Sequence, residues 1–196
     1  MQEGPERMPG ACGYGDGQHM SPSDIDHAGG RAEAGRAEPA GPVLVTGASG
    51  TIGRRLVPAL VAAGHQVRAM TRSGAAAQTA AAAGAEPVHG DVTDPASLSA
   101  AVRGCEVVIH AAGRMGGSPA VEPFLPVNVT GTQNMLTAAA EAQVRRFIYL
   151  GAAMSLLGSP RPITGADESW PLQQPRCSGY AASKTRADQA VLVSRS

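Results

Sequence analysis

From residue 43 onward, short apolar runs alternate with longer segments whose apolar residues recur every three or four positions. Val43-Leu44-Val45-Thr46 is a run without polar alternation, the pattern of a central parallel strand covered on both faces. From Thr51 to Ala63, Ile52, Leu56 and Leu60 share one helical stripe while Arg54 and Arg55 face out, and Gly64 is the expected stop. Pro58 counts against this helix, because an interior proline costs about 3 kcal/mol. His65 to Thr71 reads as a second strand, Ala75 to Ala83 as a weakly amphipathic helix closed by Gly84, and Pro87 to Gly90 as a short third strand. Asp94-Pro95 starts a third helix, the aspartate capping it and the proline taking the first helical position, with Leu98, Ala101 and Val102 as its buried face. Glu106 to Ala112, Asn128 to Ala142, Phe147 to Leu150 and Gly179 to Val193 continue as strand, helix, strand and helix.

Strands alternating with helices five times predict an α/β fold, a doubly wound parallel sheet of about five strands with helices on both faces. This is the Rossmann arrangement, and its usual strand order 3-2-1-4-5-6 needs a sixth strand. The domain at 42–196 is therefore expected to be incomplete, with the C-terminal substrate-binding part missing. Residues 1–41 are dominated by glycine, proline and charged side chains, with almost no Val, Leu or Ile to offset the entropy of ordering, and read as a disordered tail.

Charge is balanced, 16 basic against 16 acidic residues, with no Lys/Arg cluster that suits nucleic acid or an anionic membrane. A small-molecule partner is expected, and a homodimer is left open. Cys12, Cys105 and Cys177 form no C-x-x-C pair, the histidines show no ligand spacing, and no apolar run is long enough to span a bilayer. No metal site is expected, and a reducing, cytoplasmic setting fits.

Directly after the first strand comes Gly47-Ala48-Ser49-Gly50-Thr51-Ile52-Gly53, a strand–turn–helix context in which a glycine motif carries meaning. Gly47 can take turn dihedrals that a Cβ forbids, Gly50 lets the backbone approach a diphosphate, and Gly53 lets the helix pack on the strand. The helix N-terminus then presents free N–H groups and its positive dipole end to the anion. This G-x-x-G-x-x-G spacing resembles the short-chain dehydrogenase/reductase superfamily, in particular its extended, epimerase/dehydratase-like branch. The resemblance covers about residues 43–193.

NAD-selecting sites place a carboxylate on the ribose about 20 residues beyond the first glycine. Here that place holds Thr71-Arg72, and no Asp or Glu lies between Gly47 and Ala85. Arg72, and Arg68 if its side chain points that way, suit a 2′-phosphate, so NADP is expected ahead of NAD.

Tyr180 and Lys184 are four residues apart on the last predicted helix, hence on one face. A nearby cation would favour the phenolate and bring Tyr180 toward acid/base use. In the superfamily that the chain resembles, this Y-x-x-x-K pair is catalytic and its lysine also holds the nicotinamide ribose. The resemblance further assigns Asp91 and Val92 to adenine, Ala111, Ala112 and Gly113 to the cofactor-lining end of the fourth strand, and Asn128 to holding the active site. Asp94 and Asn128 also read as plain N-caps.

One departure concerns the hydroxyl that relatives carry after the fifth strand, five residues before a glycine. Counted back from Gly158, that position is Ala153, and Ser155 substitutes only if the loop shifts. Three readings follow: an NAD(P)-dependent oxidoreductase or epimerase/dehydratase-like enzyme acting on a hydroxyl or carbonyl carbon of a sugar nucleotide, steroid-like compound or other alcohol; a non-catalytic NADP-binding module; or an inactive gene fragment.

Overall fold

The computed structural model describes residues 41–156, 166–167, 169–173 and 178–194. The tail expected at 1–41 lies outside them except for Gly41, as does Gly158. Five parallel strands, β1 (Val43–Thr46), β2 (Val67–Thr71), β3 (Glu86–His89), β4 (Val107–His110) and β5 (Arg146–Tyr149), pair in the order β3-β2-β1-β4-β5. Five helices, α1 (Gly53–Ala62), α2 (Gly74–Ala82), α3 (Pro95–Val102), α4 (Gly131–Glu141) and α5 (Gly179–Val193), alternate with them. The doubly wound α/β sheet read from the sequence is therefore the observed one.

The unbroken apolar run of β1 has the expected cause. Leu44 faces one core with Met70, Leu98, Val102, Val108 and Met135 under α3 and α4, whereas Val43 and Val45 face a second core with Val57, Val67, Ala80 and Ile109 under α1 and α2. A strand covered on both faces leaves no position for a polar side chain until its end, where Thr46 stands. Among the described residues β5 is an edge strand of alternating exposure.

Two expected elements differ. The first helix starts at Gly53 rather than Thr51, so Ile52 precedes it and is 57% exposed; Gly53 and Val57 form its buried stripe, with Leu56 and Leu60 partly buried behind. Pro58 is accommodated inside α1, where packing on the second core outweighs the lost backbone bond. The fourth helix does not start at Asn128. A 3-10 turn, Glu122–Phe124, leads into one wide π-helical turn, Leu125–Thr130, before regular helix resumes at Gly131. Asn128 lies inside that wide turn and is not a cap. Asp94 does cap α3, accepting from the Ala96 amide, and Ser73 and Ser178 do the same for α2 and α5. Gly64, Gly84 and Gly104 end their helices at positive φ, as their spacing predicts.

Candidate dinucleotide site and catalytic helix

The strand order reverses between β1 and β4, and at that switch point the carboxyl ends of the strands leave a crevice. A cleft of about 440 Å³ opens there. The turn after β1 contributes Gly47, Ser49 and Gly50, the end of β2 Thr71 and Arg72, the end of β3 Asp91 and Val92, and the end of β4 Ala111, Ala112, Gly113 and Arg114. Thr51, Ile52, Gly53 and Lys184, all expected at the cofactor, do not line this cleft.

Gly47 sits at φ +65°, and a Cβ there would stand 2.7 Å from the Ala111–Ala112 backbone. The turn closes through Gly50 N–H donating to the Gly47 carbonyl at 2.9 Å. Gly53 is a packing glycine, since a Cβ would lie 2.3 Å from the Gly47 carbonyl oxygen. The N-terminus of α1 has no side-chain cap, and the Thr51 and Ile52 amides find no acceptor among the described residues. A glycine cradle beneath an uncapped helix end fits a diphosphate.

At the adenosine end, Arg72 Nη1 lies 3.6 Å from Asp91 Oδ2, with its side chain largely exposed. The Thr93 amide and hydroxyl, with Arg72 behind them, hold the Asp91 carboxyl below the usual range against some burial. Arg68 is removed from this role. It lies toward the opposite end of β2, donating to Glu86 Oε2 at 3.0 Å and to the Arg103 carbonyl at 2.5 Å. Val92 lines the cleft while burying its side chain against Gly131, and its carbonyl accepts from Asn134 Nδ2.

Beyond the cleft, Asn128 is buried and joins two elements. Its Oδ1 accepts from Arg114 N–H at 2.7 Å, and its Nδ2 donates to the Arg114 carbonyl at 3.0 Å and to Ser183 Oγ at 2.9 Å. Ser183 in turn donates to the Tyr180 carbonyl at 2.7 Å. Tyr180 stands in the first turn of α5, its ring edge-on to Phe124 at 6.1 Å between centroids. Gly179 beside it packs so closely that a Cβ would fall 1.9 Å from the Ala120 carbonyl oxygen.

Lys184 is buried, donating from Nζ to the Leu150 carbonyl at 2.8 Å. Burial pulls its ammonium down to about 8, with the charge of Asp188 opposing. The expected lowering of the Tyr180 phenol is not what the surroundings produce. Burial, followed by the Asp188 charge, raises it above the ordinary tyrosine range. The lysine charge is turned toward Leu150 and the Tyr149 ring, not spent on Tyr180.

Ser155 does not replace the missing hydroxyl. It is buried, and its one hydroxyl hydrogen goes to the Ala152 carbonyl at 2.8 Å, beside an Asp188 carboxyl that burial raises above the usual range. Ala153 itself is exposed. Sequence reading missed Thr46, His110, Thr132, Ser183 and Asp188. The signal for the first two was a polar residue ending each of two central apolar runs, where a buried side chain has to find a partner. Among the described residues no group of His, Cys, Asp and Glu is arranged to hold a metal, and no helix is long and apolar enough to cross a membrane.

Known proteins resemble this chain in sequence and in fold. A ketoreductase of Stigmatella aurantiaca named for 4-hydroxy-2-methyl-3-oxo-4-farnesyl-3,4-dihydroquinoline-1-oxide is 40% identical over 149 residues, 76% of this chain and 44% of the relative. A 3 beta-hydroxysteroid dehydrogenase/Delta 5-->4-isomerase of Mycobacterium tuberculosis is 35% identical over 160 residues, 78% of this chain and 42% of the relative. A short-chain dehydrogenase/reductase superfamily protein of Agrobacterium tumefaciens, solved with bound NAD, superposes with a TM-score of 0.65 at 31% identity, covering 76% of this chain and 44% of that one. The chain thus spans less than half the length of these relatives. Residues 43–196 match the model of the NAD dependent epimerase/dehydratase family, and the chain belongs to that family.

Proposed function

We propose that this chain is the dinucleotide-binding part of an NADP(H)-dependent oxidoreductase that interconverts a ketone and a secondary alcohol on a lipophilic small molecule. The observation that carries this is the pairing of the glycine-turn cleft with a half-buried Tyr180 and a buried Lys184 on one helix. The farnesylated ketone and the hydroxysteroid in the names of two relatives support the substrate class.

Bound nicotinamide supplies or takes the hydride. Tyr180, held above the usual tyrosine range, stays protonated near neutral pH and so acts as the acid that delivers a proton to a carbonyl oxygen during reduction. Lys184 Nζ has spent one hydrogen on Leu150, which leaves two for a ribose hydroxyl. Asn128 ties the cofactor-lining segment at Arg114 to the Tyr180 turn through Ser183. The choice of NADP rests on Arg72, exposed at the end of β2 where no carboxylate from that strand opposes a 2′-phosphate. The Agrobacterium relative holds NAD, so this preference is a property proposed for this chain alone.

Ala153 favours a second reading, a module that binds the dinucleotide without turnover. Titration with NADPH and NADH, followed by a panel of steroid and isoprenoid ketones, separates the two. Tighter NADPH binding with ketone-dependent oxidation is the expected result; binding without oxidation of any ketone supports the module, and no binding overturns both.

A further inference from the structure

His110, at the end of β4, is wholly buried and stands between two hydrogen-bond chains whose directions can be assigned. On one side the Ala112 amide donates to Thr46 Oγ1 at 3.1 Å, and Thr46 Oγ1 lies 2.9 Å from His110 Nδ1. On the other side Thr132 Oγ1 donates to the Asn128 carbonyl at 2.8 Å and lies 3.1 Å from His110 Nε2. A hydroxyl has one hydrogen and a carbonyl has none. Thr132 has therefore spent its hydrogen on Asn128 and accepts from His110, so Nε2 carries a proton. Thr46 accepts from Ala112 and keeps its own hydrogen, which Nδ1 of a neutral ring protonated on Nε2 accepts.

A neutral imidazole protonated on Nε2 therefore satisfies both threonines. The surroundings agree. The ring is packed beside Phe147 and stacked on Tyr149, centroids 5.8 and 6.0 Å away, and the nearby charge is the Lys184 ammonium, so an imidazolium is disfavoured by burial first and by that cation second.

The two chains lead to different parts of the site. Thr46 immediately precedes the glycine turn and fixes the Ala112 amide in the cleft wall. Thr132 holds Asn128, whose side chain clasps Arg114 on one side and, through Ser183, the Tyr180 turn on the other. We propose that His110 is a positioning residue that locks the cofactor cleft and the Tyr180 helix into one unit by bridging Thr46 and Thr132. The proposal rests on the reading of Tyr180 as the proton donor. A wide π-helical turn at Leu125–Thr130 is the backbone cost of bringing Asn128 to this junction.

The first test is the nitrogen spectrum of histidine-labelled full chain: one of its five histidines should stay neutral and protonated on Nε2 from pH 5 to 8. A doubly protonated His110, or one protonated on Nδ1, overturns the proposal. The second uses tyrosine-labelled protein, which has three tyrosines to assign, with Thr132→Val, Thr132→Ser and Thr46→Val. The two valine variants should shift or broaden the Tyr180 ring resonances although neither residue touches Tyr180, and Thr132→Ser should restore the parent spectrum. Unshifted Tyr180 resonances in both valine variants overturn the proposal, and should Thr132→Val fail to fold, Thr46→Val, on β1 rather than α4, gives the same reading. On a ketone that the parent reduces, Thr132→Val should lower kcat on the order of tenfold with the dinucleotide KM kept. A parent that reduces no ketone defeats the oxidoreductase reading, whereas the Tyr180 resonances still decide on His110.

Discussion

The Lys184 ammonium lies 4.2 Å from the centroid of the Tyr149 ring, on the aromatic face, while the Tyr149 hydroxyl is buried with no partner among the described residues. Ring and hydroxyl therefore make opposite contributions. The face holds a desolvated cation, worth roughly 1–2 kcal/mol, and the orphan hydroxyl costs about 1 kcal/mol or more. Tyr149→Phe is expected to leave the protein as stable or slightly more stable, and Tyr149→Leu to destabilise it by about 1–2 kcal/mol. Urea unfolding of both variants checks this, and a Phe variant as weak as the Leu variant would contradict it.

The glycines of the turn differ in what they protect. At Gly50 a Cβ would meet only the Gly47 carbonyl oxygen, at 3.1 Å, whereas at Gly53 it would press into the turn backbone. Gly50→Ala should therefore weaken dinucleotide binding with little change in melting temperature. Gly53→Ala should lose binding and also about 1–3 kcal/mol of stability, the usual range for overpacking. Fluorescence titration with NADPH beside thermal melts reads both quantities, and equal stability losses would count against this division of labour.

Acid should destabilise the fold through His110. Its imidazole is pushed from 6.5 down to about 3, so between those values the unfolded chain binds a proton that the folded chain refuses. Stability then falls with falling pH by on the order of 1 kcal/mol per unit, and this contribution is flat above 6.5, where both states are neutral. Unfolding curves at neutral and acid pH should show this slope in the parent and a shallower one in His110→Gln. Equal slopes would show that His110 is not the group responsible.

Ala153 marks a place where one hydroxyl is expected to matter. With the Ser155 hydroxyl hydrogen committed to the Ala152 carbonyl, nothing among the described residues of that loop polarises the reacting oxygen. Ala153→Ser should raise kcat on the order of tenfold or more, the scale of one oxyanion donor, with NADPH affinity kept. Steady-state kinetics on the same ketone checks it, and an unchanged kcat would mean that the reacting oxygen lies elsewhere.

The sheet was legible because β1 and β4 are short apolar runs and glycines stop the helices between strands, a punctuation that places even the polar, exposed β3. Residues whose role is local, such as Gly47, Asp94 and Ser178, were legible or could have been for the same reason. The start of α4 was not. Asn128 looks like a cap on the basis of residue type, yet it sits inside the wide turn with its amide held by Arg114 and Ser183, residues distant in the chain. The charge balance at Tyr180 was only half legible: Asp188 follows Lys184 by one turn on the same helix, but the Leu150 carbonyl that draws the ammonium away comes from across the fold, and a four-residue spacing says nothing of where an ammonium points.

Tyr180 carries the central claim, and removing its hydroxyl alone tests it most directly. Steady-state NADPH oxidation with a ketone substrate should fall about 10²–10⁴-fold in Tyr180→Phe while NADPH still binds. Turnover equal to that of the parent would contradict the account.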